Sequence, residues 1–542
     1  MTGWQNHLII LPILLPMIAA ASLLFVDERS RVTKAMISLA TTILIAGVSI
    51  VLLQVENASE AFNGVYLVGN WVAPFGIVLV LDGLSALMLA LTSLLAVATL
   101  VFALARWHAV GAHFHSMFQI LLMGVNGAFL TGDLFNLFVF FEVMLAASYG
   151  LLLHGSGALR VKAGLHYIAV NLVAALFFLI GVSLIYGTTG TLNMADLAAR
   201  IPEMEADRRM LMEAGAGVLG IAFLIKAGMW PLCFWLPTAY SAASAPVAGM
   251  FAILSKLGIY VILRLTMLLF GAGPSAGFGA ELLLFGGIAT VIFGTVGVLA
   301  SQALGRLAGY SVLVSSGTML MVLGINDGAV SSGALLYLVS STLTIGAFFM
   351  LIELVERGQD AGANVLAVTM EAYGEGDDDV EEGGGFAMPG TMAILGICFA
   401  ACGILLSGLP PLSGFVAKFA MLSAMMGAGA TGVPPTAAVW TLVVLVILSG
   451  VAALIAMTRA GIRAFWTSIE GTVPRVLVIE LVPVMFLLCL TLALTLQAGP
   501  AMRYMDTTIR TLSNPTIYID AVKNAAAIET RAGVQSQETG GN

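Results

Sequence analysis

Charged side chains are scarce in this sequence. Asp, Glu, Lys and Arg make up 10% of its 542 residues, whereas about 25% is usual for soluble proteins. Hydrophobic residues make up 60%, and a soluble core stops growing at about 250–300 residues. The composition therefore excludes a soluble enzyme, a nucleic-acid-binding protein and a disordered chain. It indicates an all-α polytopic membrane protein.

Cysteine is also rare, and its spacing matches neither a metal site nor a disulfide framework. All four cysteines lie in apolar stretches, and we expect them to be small core residues. They are Cys233, Cys398, Cys402 and Cys489. The net charge of −8 gives no sign of a nucleic-acid partner. The sequence thus predicts no metal site and no cofactor.

Stretches of about 20 apolar residues, the length that crosses a bilayer as a helix, recur about fourteen times. They lie at 8–26, 35–55, 78–104, 114–131, 134–153, 163–186, 216–238, 244–270, 278–301, 307–324, 333–355, 389–428, 436–457 and 477–498. The twelfth is too long for one straight helix and is expected to be broken. No Lys or Arg precedes the first stretch, so we interpret it as an uncleaved span rather than a signal peptide.

The distribution of basic residues predicts the orientation, because Lys and Arg accumulate in short cytoplasmic loops. If the N-terminus is outside, the first six basic loop residues, from Arg29 to Lys162, lie inside. The outer loops before residue 187 then contain none. This asymmetry favours an outside N-terminus, and an even number of spans places the C-terminus outside as well.

Three segments between the spans have patterns of their own. Residues 64–80 alternate like an extracytoplasmic β-hairpin, with Gly69-Asn70 as the turn. Residues 357–388 combine acidic residues with glycine and predict a flexible acidic loop. Residues 459–476 mix arginine with aromatic side chains, which is typical of an interfacial amphipathic helix.

Four charged residues lie inside spans without a structural reason. They are Glu142, Lys226, Lys256 and Lys418. A charge at the centre of a membrane helix costs roughly 2.5–3.5 kcal/mol. Snorkelling to the surface explains Arg264, which is near the outer end of its span, but it explains Lys226 and Lys256 poorly. A buried lysine is able to release its proton whereas arginine is not, so these positions indicate proton transfer.

Two of the spans that contain these lysines are also interrupted. The interrupting residues are Gly228, Pro231 and Pro237 in the seventh span, and Pro410 and Pro411 in the twelfth. Broken helices at matching places are typical of transporters built from inverted repeats. The spacing predicts two inverted five-helix repeats, spans 4–8 and 9–13. The alternative is that these residues only kink their helices.

Three motifs resemble those of a known family. FNLFVFFEVM, FLIKAGMWPLCFWLPTAYSAASAPVAGMFAILSKLGIY and GLPPLSGFVAKFAML are similar to signatures of the antiporter-like subunits. These are the proton-pumping membrane subunits of respiratory complex I and the large subunits of Mrp-type cation/proton antiporters. The resemblance covers residues 70–460. In length and N-terminal sequence the chain resembles the D subunits of the Mrp complexes, which are also called Mnh or Pha.

The resemblance implies a division of the chain and a role for each intramembrane charge. The expected regions are helices 1–3 with the hairpin (1–110), repeat one (111–272), repeat two (273–458), the amphipathic segment with helix 14 (459–500) and a polar tail (501–542). Glu142 matches the essential glutamate of the fifth span and Lys226 its ion-pair partner. Lys256 matches the central residue of the eighth span, and Lys418 the exit of the proton path.

The eleventh span departs from the family pattern. Many relatives have His and Lys there, but this chain has YLVSSTLTIGAFFML. The link from Lys256 to Lys418 would then need water and hydroxyls such as those of Ser340, Ser341 and Thr344. His166 in the sixth span is a further candidate, although we favour a hydrogen-bonded core histidine there.

The resemblance implies a proton-translocating subunit of a multisubunit Na⁺ or K⁺/proton antiporter, a secondary transporter and not an enzyme. The expected partners are the other subunits, membrane lipid, protons and the cation. The expected location is a bacterial cytoplasmic (inner) membrane. Two alternatives remain: a proton-pumping subunit of a complex I-like oxidoreductase or membrane hydrogenase, and an inactive scaffold subunit.

Overall fold

The computed structural model describes residues 3–58, 64–325, 327–373, 390–427, 437–465 and 476–525. In these ranges the chain is almost entirely helical. The region before the first repeat consists of α1 (Leu11–Phe25), α2 (Arg31–Asn57), β1 (Gly64–Leu67), β2 (Val78–Leu81) and α3 (Gly83–Ala105).

The helices of the two predicted repeats follow. The first comprises α4 (Phe114–Leu130), α5 (Leu134–Leu153), α6 (Ala158–Thr189), α7 (Met194–Arg200), α8 (Ala206–Ala227), α9 (Trp235–Ala242) and α10 (Ala245–Phe270). The second comprises α11 (Ala280–Ala300), α12 (Leu304–Ile325), α13 (Gly328–Tyr373), α14 (Gly390–Ser407), α15 (Ser413–Gly427) and α16 (Ala437–Phe465). The described chain closes with α17 (Val478–Leu496), α18 (Ala498–Leu512) and α19 (Pro515–Lys523).

The spans agree with the polytopic helical fold that the sequence predicts. Within the described ranges, 12 helices are long and apolar enough to cross a membrane. The shorter apolar helices α1 and α4 supply two more, and α15 is the second half of the twelfth span. The fold class is therefore confirmed, with about fourteen spans.

The seventh and twelfth spans are broken in the same way. Gly228 directly follows α8 and Gly408 directly follows α14, and both glycines have a φ of 75°. This left-handed conformation suits glycine at the end of a helix, because glycine has no Cβ to clash. The prolines follow: Pro231 lies between α8 and α9, and Pro410 and Pro411 lie between α14 and α15.

Pro237 is placed differently from the other prolines. It lies in the first turn of α9 rather than in the break. The first N–H groups of a helix have no intrahelical partner, so proline costs no hydrogen bond there.

Helices α10 and α13 form the centre of the molecule. In the most apolar part of α10 and of α13, 94% and 100% of the residues are buried, whereas in α2, α6, α11 and α16 the share is 33%. The central pair also contacts α3, α12 and α15. Polar side chains on α10 and α13 are therefore shielded from lipid.

A β-hairpin forms in the segment where the sequence alternates. Strands β1 and β2 pair antiparallel from Gly64–Leu81 to Leu67–Val78. Gly69 and Asn70 have positive φ values of 68° and 62°, as the predicted turn requires. The connection between the strands is longer than a two-residue turn, since residues 68–77 separate them.

The predicted polar tail begins as ordered structure. Helices α18 and α19 pack against α13, α3 and α7. Met505 and Ile509 of α18, and Tyr518 and Val522 of α19, are buried. This spacing of four places the apolar side chains on one face of each helix, so the interpretation of this segment as a mere tail was wrong. Residues 526–542 lie outside the described residues.

Two more segments differ from expectation. Residues 459–465 continue α16 instead of starting an interfacial helix, because Arg459 donates to the carbonyls of Leu299 (2.6 Å) and Ser301 (3.0 Å) at the end of α11. The predicted loop 357–388 is helical as far as Tyr373, where α13 ends. Residues 466–475 and 374–389 lie outside the described residues.

Arg264 does not snorkel. Its guanidinium is buried and donates two hydrogen bonds to the Asp82 carboxylate, the longer at 2.8 Å, and a third to the Tyr260 hydroxyl at 2.9 Å. Because Asp82, 182 residues earlier in the chain, pairs with the guanidinium, the Arg264 side chain does not have to extend to water. Among the cysteines, Cys489 is exposed on α17 and the other three are buried, so the expectation of a core residue fails for Cys489.

Candidate functional site: a row of buried lysines

Lys226 lies in the last turn of α8, beside the break. Its side chain is buried, and Nζ donates to Asn171 Oδ1 at 2.5 Å. It also lies 5.6 Å from the centre of the Tyr167 ring. Tyr167 and Asn171 are four residues apart on α6, and the Asn171 amide donates to the Tyr167 carbonyl at 2.7 Å. That bond holds Oδ1 toward the lysine.

Neither Asn171 nor Tyr167 was identified from the sequence as a partner of Lys226. The available signal was a pair of polar residues at helical spacing in GLHYIAVN, one turn apart on the same face. His166, the residue considered there, is exposed on α6. The interpretation of His166 as a core histidine was therefore wrong.

Glu142 lies on α5 and is half-buried. Its charge acts electrostatically on Lys226. However, the ion pairs within 4 Å in the described part of the chain do not include one between Glu142 and Lys226. The structure thus shows an open arrangement, in which an amide and not the carboxylate contacts the lysine.

Helices α8 and α10 approach closely beside Lys226. A Cβ at Gly258 of α10 would lie 2.8 Å from the Ala227 nitrogen and 3.1 Å from the Lys226 Cβ. Only glycine permits this separation without displacement of the backbone. The contact brings Lys226 next to the helix that contains Lys256.

Lys256 is completely buried on α10. Its Nζ donates to Ser315 Oγ of α12 at 2.6 Å, and Ser315 Oγ donates to Ser341 Oγ of α13 at 2.9 Å. A lysine and two hydroxyls thus connect three neighbouring helices. Ser341 is one of the α13 hydroxyls that the sequence singled out.

A small cavity with several hydroxyls in its wall lies beside Ser341. About 20 Å³ of it is open to the centre of a water molecule, and roughly 10–15 Å³ is enough for one water. Its hydroxyl lining comprises Ser311, Ser315, Tyr337, Ser340, Ser341, Thr344 and Ser449. On the far side, Ser340 Oγ is 2.8 Å from Ser413 Oγ, at the start of α15.

Lys418 lies on α15 and is buried. Its Nζ donates to the carbonyls of Ser407 (3.0 Å) and Leu406 (3.3 Å) in the last turn of α14. These carbonyls are available because α14 stops at the break. A Cβ at Gly408 would lie 2.5 Å from the Lys418 side chain, so the glycine both ends α14 and makes room for the lysine.

The three lysines thus share one kind of environment. Each is held by neutral oxygen acceptors, and none has a carboxylate within 4 Å among the described residues. Nor does any group of three or more His, Cys, Asp or Glu side chains in that part of the chain suit a metal ion. Chemically, the arrangement offers a series of amines and hydroxyls that are able to exchange protons.

Comparison with known proteins identifies the family. Residues 131–456 match the family model described as NADH:quinone oxidoreductase/Mrp antiporter, TM. The chain belongs to this family of antiporter-like membrane subunits.

Relatives that match over almost their whole length show which branch of the family the chain resembles. The chain is 62% identical to the D subunit of a probable K(+)/H(+) antiporter from Rhizobium meliloti (strain 1021), over 99% of this chain and 100% of that protein. It is 34% identical to the D subunit of the Na(+)/H(+) antiporter from Alkalihalophilus pseudofirmus, over 96% and 99%. A chain of the Mrp complex from Dietzia sp. DQ12-45-1b superposes with a TM-score of 0.82 at 26% identity, over 96% and 100%.

Within the family, the chain therefore groups with the D subunits of the multisubunit Mrp-type antiporters. It is a multi-pass membrane protein and a subunit of a secondary transporter, not an enzyme.

Proposed function

We propose that this chain translocates protons in a complex that exchanges them for a monovalent cation, Na⁺ or K⁺, across a bacterial inner membrane. The path runs from Glu142 and Lys226 through Lys256 to Lys418. The observation that carries the proposal is the hydrogen-bonded series from Lys256 through Ser315 and Ser341 to the hydroxyl-lined cavity.

Glu142 sets how strongly Lys226 holds its proton. When the carboxylate approaches Lys226, the opposite charge favours the protonated amine. When it stays apart, as in this structure, the hydrogen-bond acceptor of Lys226 among the described residues is the Asn171 amide oxygen. The proton is then released toward Lys256, which lies on the adjacent helix α10.

The second half of the path crosses α12 and α13 without a charged residue. Lys256 passes its proton to Ser315 and Ser341, and a water in the cavity carries it to Ser340 and Ser413. Hydroxyls act as donors and acceptors at once, so a chain of them is able to relay a proton. Lys418 then receives it at the twelfth-span break.

The membrane potential drives this transfer. Each charge that crosses the bilayer yields about 2.3 kcal/mol per 100 mV. Potassium is the first cation to test, because the 62% identical relative is named for a probable K(+)/H(+) antiporter. Sodium is the second, since the relative from Alkalihalophilus pseudofirmus is named for it.

The test uses variants of the whole complex, expressed from its complete operon, in inverted vesicles. Lys226→Arg keeps the positive charge but removes the ability to release a proton, and Glu142→Gln removes the carboxylate with little change of shape. Both are expected to abolish cation-dependent proton movement and to leave the complex assembled. Lys162→Arg, at an exposed position of α6, is the matched control.

The outcomes separate the proposal from its alternatives. Wild-type transport by Lys226→Arg and Glu142→Gln would contradict the proton path and favour the scaffold interpretation. Proton movement that requires an electron donor would instead favour a redox-driven module. The same vesicles with K⁺, Na⁺ and Li⁺ identify the exchanged cation.

A further inference from the structure

A polar pocket lies far from the lysine row, where the connection between α1 and α2 meets the start of α4. About 260 Å³ of it is open to the centres of water molecules, slightly below the roughly 300–1,000 Å³ of typical ligand sites. The side chains that line it and bear donors are those of Arg31, Lys34, His108, His113, His115 and Ser116.

Two buried side chains in this pocket have unused hydrogen-bonding capacity. His115 is 4% exposed and Ser116 is 2% exposed. His115 Nδ1 and Ser116 Oγ have no hydrogen-bond partner in the described part of the chain. Leaving a buried polar group unsatisfied costs roughly 1–3 kcal/mol, so these groups indicate a ligand that completes their hydrogen bonds.

The backbone supplies further donors at the same place. Helix α4 begins at Phe114, and its N-cap residue His113 makes no side-chain cap. The first backbone bond within the turn is from Met117 N–H to the His113 carbonyl. The His113 N–H bonds to the Glu28 carboxylate, whereas the N–H groups of Phe114, His115 and Ser116 are in the first turn, where a helix offers its donors to an anion.

The histidines match a ligand that accepts hydrogen bonds. His115 Nε2 lies 3.4 Å from His108 Nδ1. If His108 donates to Nε2, His115 carries its own proton on Nδ1, the atom that has no partner in the described part of the chain. Burial and the nearby Arg31 charge lower the pKa of His108, which agrees with a neutral His108 at this position.

The pocket's one carboxylate is already occupied. Glu28 lies 2.6 Å from Lys34 Nζ and 3.0 Å from His113 Nδ1, and the hydrogen bond from Lys34 holds the pKa of Glu28 below its usual value. Arg31 has no carboxylate within 4 Å among the described residues. The balance of charge and donors therefore favours an anion over a cation.

We propose that this pocket binds the phosphate group of an anionic ligand. Arg31 supplies the charge, and Ser116, His115 and the first N–H groups of α4 supply the directed hydrogen bonds. Phosphate has three or more acceptor oxygens and forms strong charge-assisted bonds with such donors. The phosphate belongs either to an anionic phospholipid headgroup or to a soluble phosphate.

The experiment uses the purified whole complex. In one arm, thermal stability in detergent is measured against inorganic phosphate, with chloride at equal ionic strength as reference. In the other, the complex is placed in nanodiscs of phosphatidylcholine with or without phosphatidylglycerol, and native mass spectrometry counts the retained anionic lipid. Binding stabilises the folded state, so a soluble phosphate should raise the melting temperature in the first arm, whereas a lipid ligand should remain bound to the complex in the second.

The variants are Arg31→Gln and Ser116→Ala, with Arg29→Gln as the matched control. Arg29 is exposed in the same connection, has the same charge and does not line the pocket. Arg31→Gln is expected to weaken binding about ten-fold or more, Ser116→Ala to weaken it less, and Arg29→Gln to leave it unchanged.

Each result has a defined meaning. A response to inorganic phosphate identifies a soluble ligand, and a response to phosphatidylglycerol alone identifies a lipid headgroup; both support the pocket. If neither ligand binds, or if Arg29→Gln weakens binding as much as Arg31→Gln, the proposal is wrong. Ser116→Ala changes no charge. If Arg31→Gln does not assemble, weaker binding by Ser116→Ala supports the pocket, and unchanged binding contradicts it.

Discussion

Lys226, Lys256 and Lys418 differ from Arg264 in what surrounds them. Arg264 faces the Asp82 carboxylate and is fixed as a charge, whereas the three lysines face an amide, a hydroxyl and backbone carbonyls. Neutral acceptors leave a lysine free to exist in both protonation states, and an arginine does not deprotonate in proteins. This contrast gives Arg264 a structural role and supports the transport role that we propose for the lysines.

Thr344 allows the hydroxyl path to be tested at a single residue. Thr344→Val removes one hydroxyl from the cavity while keeping the side-chain volume nearly unchanged. We expect cation/proton exchange to slow about ten-fold, which corresponds to about 1.4 kcal/mol on the barrier, with normal assembly. The rate is measured by fluorescence quenching in inverted vesicles.

Thr342→Val is the control for this substitution. Thr342 is buried on the same helix and donates to the Leu338 carbonyl, as Thr344 donates to that of Ser340, but it does not line the cavity. Equal slowing by both variants would show that α13 packing, and not the cavity hydroxyl, determines the rate.

At the scale of elements, the start of α3 is where several parts of the fold meet. Asp82 caps α3 by accepting from Ser85 N–H at 2.9 Å and pairs with Arg264 of α10. Tyr504 of α18 donates to the Gly83 carbonyl at 2.8 Å. Burial raises the pKa of Tyr504, so its hydroxyl remains a donor at neutral pH.

Asp82→Asn tests the ion pair without removing the helix cap, because Asn caps helices as well as Asp does. It leaves the buried Arg264 charge unpaired, and breaking a buried pair costs about 3–5 kcal/mol. We expect a large fall in the melting temperature of the purified complex, measured by tryptophan fluorescence.

Asp133→Asn provides the comparison for that measurement. Asp133 caps α5 by accepting from Asn136 N–H at 2.9 Å, and the described ion pairs do not include it. The fall in melting temperature caused by Asp133→Asn should be small. If the two substitutions lower the melting temperature equally, the Arg264 ion pair contributes little to stability.

On the scale of the whole molecule, the β-hairpin and the short helices lie on one side. The hairpin, α7, α18 and α19 contact one another or the same helix ends. The basic-residue distribution predicts this side to be outside. Arg503→Cys, in a background of Cys489→Ser, should therefore react with an impermeant maleimide on intact cells, and Ala158→Cys only in inverted vesicles.

Both labelling positions are exposed, in α18 and at the start of α6. The opposite labelling pattern would reverse the orientation, placing both termini in the cytoplasm. Such a result would also move the phosphate pocket to the outer face.

Local signals predicted the spans and breaks, but not the partners across the fold. Apolar length identified the helices, and glycine with proline identified the interruptions after Lys226 and before Lys418. The contacts of Lys226 with Asn171 and of Arg264 with Asp82 join residues 55 and 182 positions apart. Such pairs depend on which helix faces combine, and hydropathy does not encode that choice.

Helix α13 has a consequence for how the protein is made. It is fully enclosed along its hydrophobic part, and its neighbours α15, α17 and α18 come later in the chain. A newly inserted α13 therefore presents the side that contains Ser340, which later meets Ser413 of α15, to lipid until the ribosome has completed those helices. A chain truncated before α15 would leave that side of α13 uncovered, and membrane quality-control proteases would be able to recognise the exposed polar side chain.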